Sequence, residues 1–152
     1  MINIVRTTLE SAVRVFTGPE RQRQVAALCY RDTQAGKKVL LVTSRGTGRW
    51  IVPKGWPIKG LDDPDAALQE AWEEAGVESA EVVADPIGHY KYDKKRSDGE
   101  VTPVKAQVYL AEVESLSESY PEDHQRERHW FSPDEAASRV HEPELKAILR
   151  DL

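Results

Sequence analysis

The hydrophobic residues of this chain fall first into short continuous runs. Two of them, QVAALCY at 24–30 and KVLLVTS at 38–44, flank the polar stretch RDTQAGK. Apolar runs of this length are typical of buried strands, and the polar stretch between them favours a hairpin or two neighbouring strands. Further along, AEVVADPIGHYKYD at 80–93 and TPVKAQVYLAEV at 102–113 predict two longer strands around the charged loop KKRSDGE.

Helical periodicity replaces these runs after residue 62. Ala67, Ala71 and Ala75 recur every four residues, which predicts a helix with a packing face of small side chains. Asp63 precedes a proline and is the expected N-cap of this helix. Gly76 is the expected left-handed residue at its end.

Two further helices are predicted near the C-terminus. One follows Ser132, which can cap its first turn, and the other is the amphipathic segment 142–152. Paired strands mixed with helices indicate an α+β fold or an α/β sandwich with a mixed sheet. No linker-like composition divides the chain, so one domain is expected over 1–152, with 1–22 as an N-terminal arm or strand.

Composition narrows the classes of protein. The chain is 39% hydrophobic and 31% charged with a net charge of −5, which is typical of a globular protein and disfavours broad nucleic-acid binding. No apolar run reaches the ~18–20 residues of a membrane span, and no secretory signal is evident, so a cytoplasmic monomer or homodimer is expected. Cys29 is the only cysteine, and we expect a buried, unreactive thiol.

Three carboxylates stand where a helix should disfavour them. Glu70, Glu73 and Glu74 share one face of the last two turns of the helix, and each acidic group there costs roughly 0.3–1 kcal/mol. Lysine and arginine are absent from 61–77. A divalent cation would turn this repulsion into attraction, and a carboxylate set suits Mg²⁺ or Mn²⁺. The alternative is a solvated acidic face.

The loop PKGWPIKG precedes this helix and favours the metal site over a solvated acidic face. Gly55 allows the backbone to approach a ligand or metal closely, and Lys54 and Lys59 can bind phosphate oxygens. A glycine and lysine loop beside a carboxylate cluster favours metal-assisted hydrolysis of a phosphate ester or anhydride.

Residues 55–77 resemble the Nudix box, G-x5-E-x7-R-E-U-x-E-E-x-G-U, in which U is a bulky aliphatic residue. The matching positions are Gly55, Glu70, Glu73, Glu74, Gly76 and Val77. The box positions that depart from the pattern are Leu61, Gln69 and Ala71, which replace a glutamate, an arginine and the first U.

The resemblance implies a Nudix-type α/β/α sandwich with a mixed sheet and a loop–helix–loop catalytic motif. It implies Mg²⁺-dependent hydrolysis of a nucleoside diphosphate linked to another group, with Mn²⁺ as a second candidate cation. Glu70, Glu73 and Glu74 would be the catalytic residues and metal ligands, and the carbonyl of Gly55 a further ligand. Either Glu70 or Glu73 could instead deprotonate the attacking water.

Over most of residues 23–142 the chain is similar to the diphosphoinositol polyphosphate phosphohydrolases, a branch that also cleaves diadenosine polyphosphates. Six cations are candidates for binding such a polyphosphate: Arg45, Lys54, Lys94, Lys95, Arg96 and Arg126. For the loop lysines, solubility is the alternative role. Tyr92 could stack on adenine or pack on the sheet, and Trp56 could contact substrate. Glu122 is expected to be a solvated loop acid, with an additional ligand or base as the alternative.

Three functions remain open at this point. The first is hydrolysis of a diphosphoinositol or diadenosine polyphosphate, and the second is hydrolysis of simple nucleoside triphosphates or other nucleoside diphosphate derivatives. The third is a Nudix-fold sensor that binds a phosphorylated ligand without turnover. Leu61 and Gln69 keep the sensor open, whereas the intact set of glutamates argues against it.

Overall fold

A computed structural model describes residues 20–152. The two apolar runs form the antiparallel strands β1 (Gln22–Thr33) and β2 (Gly36–Thr43), which confirms the predicted pairing. They are joined by a tight turn at Gly36, whose φ of 104° lies in the region that glycine tolerates. Most of the expected arm at 1–22 lies outside the described residues.

The remaining elements have the following bounds. The strands are β3 (Trp50–Ile51), β4 (Lys54–Gly55), β5 (Val77–Val82), β6 (Gly88–Lys95), β7 (Val101–Leu116) and β8 (Arg128–Phe131). The helices are α1 (Asp63–Ala75), α2 (Pro133–Arg139) and α3 (Pro143–Arg150). None of the helices in this part of the chain is both long and apolar enough to cross a bilayer.

The strands form one mixed sheet of eight strands. Its central path is β3-β2-β1-β7-β5, with β4 paired to β1, β6 to β7 and β8 to β2. β1 and β7 run parallel, and the other pairs are antiparallel. The single strand predicted over 80–93 is wrong, because Pro86 has no N–H for a ladder and the chain breaks into β5 and β6 around it.

Helices cover both faces of this sheet, which confirms the α/β/α sandwich. On one face, Ala67, Ala71 and Ala75 of α1 pack against Val25 and Cys29 of β1. Small side chains let the helix axis approach the sheet closely. The opposite core lies beneath α2 and α3 and includes Leu145 and Leu149. Burial raises the pKa of the Cys29 thiol to about 12, so it is the unreactive group that the sequence predicts.

The ends of α1 differ in how well the sequence predicts them. The N-cap is Asp62, not Asp63, and its side chain makes no capping hydrogen bond. Asp63 lies inside the first turn, where its carboxylate pairs with Arg23 of β1. Gly76 ends the helix with a φ of 70°, as predicted, and Ser132 caps α2 by accepting a hydrogen bond from the Glu135 N–H at 3.2 Å.

Candidate active site

The close approach of α1 to β4 builds the centre of the site. Gly55 pairs with Val25 of β1, and the carboxylate of Glu70 lies directly over it. A β-carbon at Gly55 would overlap that carboxylate, so the position requires glycine. The first glycine of the Nudix-like segment is therefore explained by contact with a glutamate of the same segment.

Glu70 and Glu74 form a carboxyl pair beside this glycine. Glu74 is buried and Glu70 is half-buried, and a hydrogen bond joins the two side chains. Burial, followed by the charge of Glu74, raises the pKa of Glu70 to about 8. A raised pKa favours the protonated form of Glu70, which can donate a hydrogen bond to Glu74.

Glu73 and Glu122 contribute to the same field. Their negative charges raise the pKa of Glu70 further, so the charges of three other glutamates all disfavour ionisation of Glu70. Within residues 20–152 no three histidine, cysteine, aspartate or glutamate side chains stand in a geometry that would hold a metal ion.

The donor set nevertheless suits a hard divalent cation. Carboxylate oxygens, which Mg²⁺ and Mn²⁺ prefer, are crowded enough that one of them retains a proton near neutral pH. Gly55 leaves room beside Glu70 and presents its backbone there. A cation that replaced the proton would relieve the repulsion among these groups.

Arg126 supplies the positive charge that α1 lacks. Its side chain is only 8% exposed, Nε donates to Glu122 Oε1 at 3.0 Å, and Nη2 lies 3.8 Å from Glu74 Oε1. Nη1 donates to the carbonyl oxygen of Thr43 at 3.0 Å. Glu122 is therefore not the solvated acid that its loop context predicts, because Arg126 holds it against the site.

The C-terminal end of α1 is also satisfied by the segment that carries Arg126. Arg128 donates to the carbonyl oxygen of Ala75 at 2.8 Å, and the Glu122 N–H donates to that of Glu73 at 3.0 Å. Positive charge at a helix C-terminus is favourable, so Arg128 offsets part of the cost of three acidic groups there. The loop before β8 is thus fastened to the catalytic helix.

Lys54 lies on the opposite side of β4 from the carboxyl pair. Its Nζ is 5.1 Å from the ring centre of Tyr92, while its backbone N–H donates to Glu74 Oε1 at 3.4 Å. Burial lowers the pKa of Lys54 to about 8; Glu74 opposes this shift, whereas the charge of Arg126 adds to it. The charge of Lys94 also lowers this pKa, so positive charges from β6 and from the loop before β8 both act on Lys54.

The other predicted phosphate contacts lie farther apart. Arg45 is 60% exposed beside the Arg126 loop, 3.7 Å from Glu122, and donates to Gln125 at 3.1 Å. Lys95 and Lys94 are consecutive residues of β6, so their side chains point to opposite sides of the sheet. That both bind the same polyphosphate stays a prediction, and this alternation disfavours Lys95. Arg96 lies in the exposed turn beyond β6.

Tyr92 is held by a partner that sequence reasoning missed. Its hydroxyl donates to Oε1 of the buried Gln24, and its ring stacks on Tyr90 at 6.0 Å. Gln24 is a polar residue at the head of an apolar run, which is the signal that could have identified it. Glu142 was also missed. Its charge opposes the lowering of the Lys54 pKa by burial, and it adds to the raising of the Tyr92 pKa, of which burial is the main cause.

Comparison with known proteins agrees with this geometry. Residues 20–152 match the NUDIX domain. The chain is 30% identical over 123 residues to Nudix hydrolase 16, mitochondrial, of Arabidopsis thaliana, covering 78% of this chain and 67% of that protein. It is 27% identical over 135 residues to diphosphoinositol polyphosphate phosphohydrolase 3-beta of Bos taurus, covering 86% and 77%.

The fold is also found among solved structures. A C. elegans Ap4A hydrolase superimposes with a TM-score of 0.63 at 22% identity, covering 86% of this chain and 95% of that one. The chain therefore belongs to the Nudix family, as a Nudix pyrophosphohydrolase. Enzymes of this family generally use a divalent metal and act on small phosphate compounds.

Proposed function

We propose that this protein hydrolyses a phosphoanhydride bond in a diphosphoinositol polyphosphate or a diadenosine polyphosphate, with Mg²⁺ as its cation. The observation that carries the proposal is the carboxyl pair of Glu70 and Glu74 over Gly55, with Lys54 on the other side of the same short strand. The relative named a diphosphoinositol polyphosphate phosphohydrolase supports the choice of substrate class.

Glu70, Glu73 and Glu74, with the carbonyl of Gly55, would hold the cation. When bound, Mg²⁺ or Mn²⁺ supplies Lewis acidity and lowers the pKa of water. Either Glu70 or Glu73 accepts the proton of the attacking water. Both side chains lie at the carboxyl cluster, so either can reach a water bound there.

The cations then divide into two roles. Lys54 and Lys94, which lie beside the rings of Tyr92 and Trp56, bind phosphate oxygens. Arg45, which is exposed to solvent, binds the outer phosphates. Arg126 already donates hydrogen bonds to Glu122 and Thr43, so its guanidinium positions the carboxylates. Only the N–H groups that these two contacts do not use are left to bind phosphate. Arg96 contributes long-range attraction.

The proposal extends to the whole chain. A single Nudix domain over 1–152 is supported by a match that spans residues 20–152. The net charge of −5 favours a small-molecule substrate over nucleic acid. A cytoplasmic location completes the proposal, and cell fractionation with a specific antibody tests it.

A substrate panel tests the chemistry. Diphosphoinositol pentakisphosphate, diadenosine tetraphosphate and ATP are each incubated with Mg²⁺, Mn²⁺ or EDTA, and the products are identified by mass spectrometry. We expect turnover of at least one of the first two with Mg²⁺ or Mn²⁺ and none in EDTA. Preference for ATP would favour a nucleoside triphosphatase, whereas saturable binding without turnover under every condition would favour a sensor.

A further inference from the structure

Successive residues of β4 face opposite sides of the sheet, so the site has one side toward α1 and another toward α2 and α3. Gly55 pairs with Val25, which belongs to the core under α1, and so faces the glutamates. Lys54 pairs with Ala26, which belongs to the core under α2 and α3. Trp56 follows Gly55 and returns to the side of Lys54, where its ring lies near Lys94.

Two pairs of an aromatic ring and a lysine therefore lie next to each other. Lys54 Nζ is 5.1 Å from the centre of the Tyr92 ring, and Lys94 Nζ is 5.6 Å from that of Trp56. Each strand supplies one lysine and one ring, because Lys54 and Trp56 come from the β4 segment and Tyr92 and Lys94 from β6. An anion bound by either lysine would bring its attached group against an aromatic ring.

Trp56 differs from the other aromatic residue of this arrangement in its exposure. The Tyr92 ring is stacked on Tyr90 and its hydroxyl is bound by Gln24. Trp56 is 38% exposed, and among the large hydrophobic side chains that are exposed within residues 20–152 it is the aromatic one. An exposed indole beside a lysine, one residue after the glycine that contacts Glu70, offers a ring face to a ligand.

We propose that Trp56 and Lys94 form a subsite for the base and the adjoining phosphate of a nucleoside polyphosphate. The indole stacks on the base while Lys94 binds the phosphate, and Lys54 binds the next phosphates toward the carboxyl pair. The inference rests on the proposed function and selects the nucleoside-bearing substrate within it. A base has an aromatic face that gains from stacking, whereas a cyclohexane ring such as inositol has none.

Kinetics of two substitutions test the subsite. Trp56→Ala removes the ring and Trp56→Phe keeps an aromatic face, while Leu61→Ala is a matched control for an exposed apolar side chain in the same loop. For diadenosine tetraphosphate we expect Trp56→Ala to raise KM about tenfold and Trp56→Phe to restore most of the loss. For inorganic tripolyphosphate, which has no base, KM should be unchanged in all three variants.

One result would overturn the subsite. If Trp56 only holds Lys94 in place, Trp56→Ala will raise KM for diadenosine tetraphosphate and for tripolyphosphate by the same factor. It leaves the hydrolase intact, because turnover of phosphoanhydrides does not depend on a base. A fall in kcat with unchanged KM would likewise contradict a binding role.

A binding experiment separates this inference from the proposed function. Calorimetry compares ADP with pyrophosphate on the full-length protein, in Mg²⁺ and in EDTA. Tighter binding of ADP than of pyrophosphate, lost in Trp56→Ala and kept in Trp56→Phe, supports the subsite even if the protein hydrolyses nothing. Equal affinities, including no measurable binding of either ligand, contradict it.

Discussion

The guanidinium of Arg126 lies between the carboxylates of Glu122 and Glu74, donating to the first at 3.0 Å and lying 3.8 Å from the second. The three side chains are 8%, 18% and 6% exposed, so little water screens them. Together with Arg128, which binds the last turn of α1, Arg126 thereby compensates the acidic end of this helix. The helix sequence predicts repulsion among its glutamates, and an arginine from a distant segment of the chain offsets that repulsion.

Removing this guanidinium should affect every substrate alike. Because Arg126→Ala leaves Glu122 and Glu74 without their buried partner, we expect the free energy of unfolding to fall by about 3 kcal/mol. We also expect kcat/KM to fall by similar factors on ATP and diadenosine tetraphosphate. Urea unfolding and steady-state kinetics measure the two effects.

The matched control for Arg126 is Arg45→Ala, which removes an exposed cation beside the same loop. We expect its stability to change little, because exposed ion pairs contribute about 0–1 kcal/mol. Its effect on KM should grow with the number of phosphates and weaken in salt. If Arg126→Ala behaves in this way instead, Arg126 contacts substrate and is not a positioning residue.

Much of this site could be predicted from local sequence, because its parts are local. The spacing of Glu70, Glu73 and Glu74 needs only the helical period, and the close approach at Gly55 needs only the absence of a side chain. The helix that carries these glutamates was therefore predicted correctly, whereas its catalytic role stays a prediction. The strand and helix patterns left an α+β fold and an α/β sandwich open, and the resemblance to the Nudix box selected the sandwich.

The features that the sequence did not predict depend on contacts between distant segments. Nothing near Glu122 indicates that it pairs with Arg126 and lies against α1, since the contact exists only once the loop docks on the helix. The role of Gln24 depends on Tyr92, 68 residues away. The alternation that separates Lys94 from Lys95 was missed for another reason, since it requires that β6 be recognised to include both.

A methyl group at Gly55 should disable the site. Gly55→Ala places a β-carbon where the Glu70 carboxylate lies, so the carboxyl pair must move or β4 must shift. Overpacking of this kind costs about 1–3 kcal/mol, and a small displacement of catalytic groups can cost about 10²-fold in rate. Thermal unfolding and kcat with Mg²⁺ measure these effects.

Gly46→Ala is the control, because a β-carbon there meets no atom within 4 Å. We expect its activity and stability to match the wild type. If Gly55→Ala also retained full activity, the overlap with Glu70 would be relieved without cost, and the close approach would have no catalytic meaning.

Neutralising the carboxylates should abolish turnover while the fold remains. Glu73→Gln and Glu74→Gln each preserve side-chain shape but remove one charged ligand, and we expect kcat to fall by about 10²-fold or more. Circular dichroism checks the fold, and Mn²⁺ binding followed by electron paramagnetic resonance should weaken in parallel. Glu81→Gln, on the exposed surface of β5, is the control for a change of net charge. Near-normal kcat in both variants at saturating Mg²⁺ would exclude this metal site.

The carboxyl pair also predicts how stability depends on pH when divalent cations are absent. The pKa of Glu70 is about 8 in the folded protein, compared with 4.5 for an unperturbed glutamate. Between these values the folded state binds more protons than the unfolded state, so stability must fall as pH rises. The contribution of Glu70 is complete below pH 4.5, declines through this window and is lost above about pH 8.

Glu70→Gln removes this titration, because an amide can donate to Glu74 at any pH. In EDTA we therefore expect the Tm of the variant to exceed that of the wild type at pH 8.5. The difference should shrink at pH 5, where the wild-type side chain is protonated. Adding Mg²⁺ at pH 8.5 should raise the wild-type Tm, because the cation takes the place of the lost proton. A Tm difference between the two proteins that is the same at both pH values would contradict a proton shared by Glu70 and Glu74.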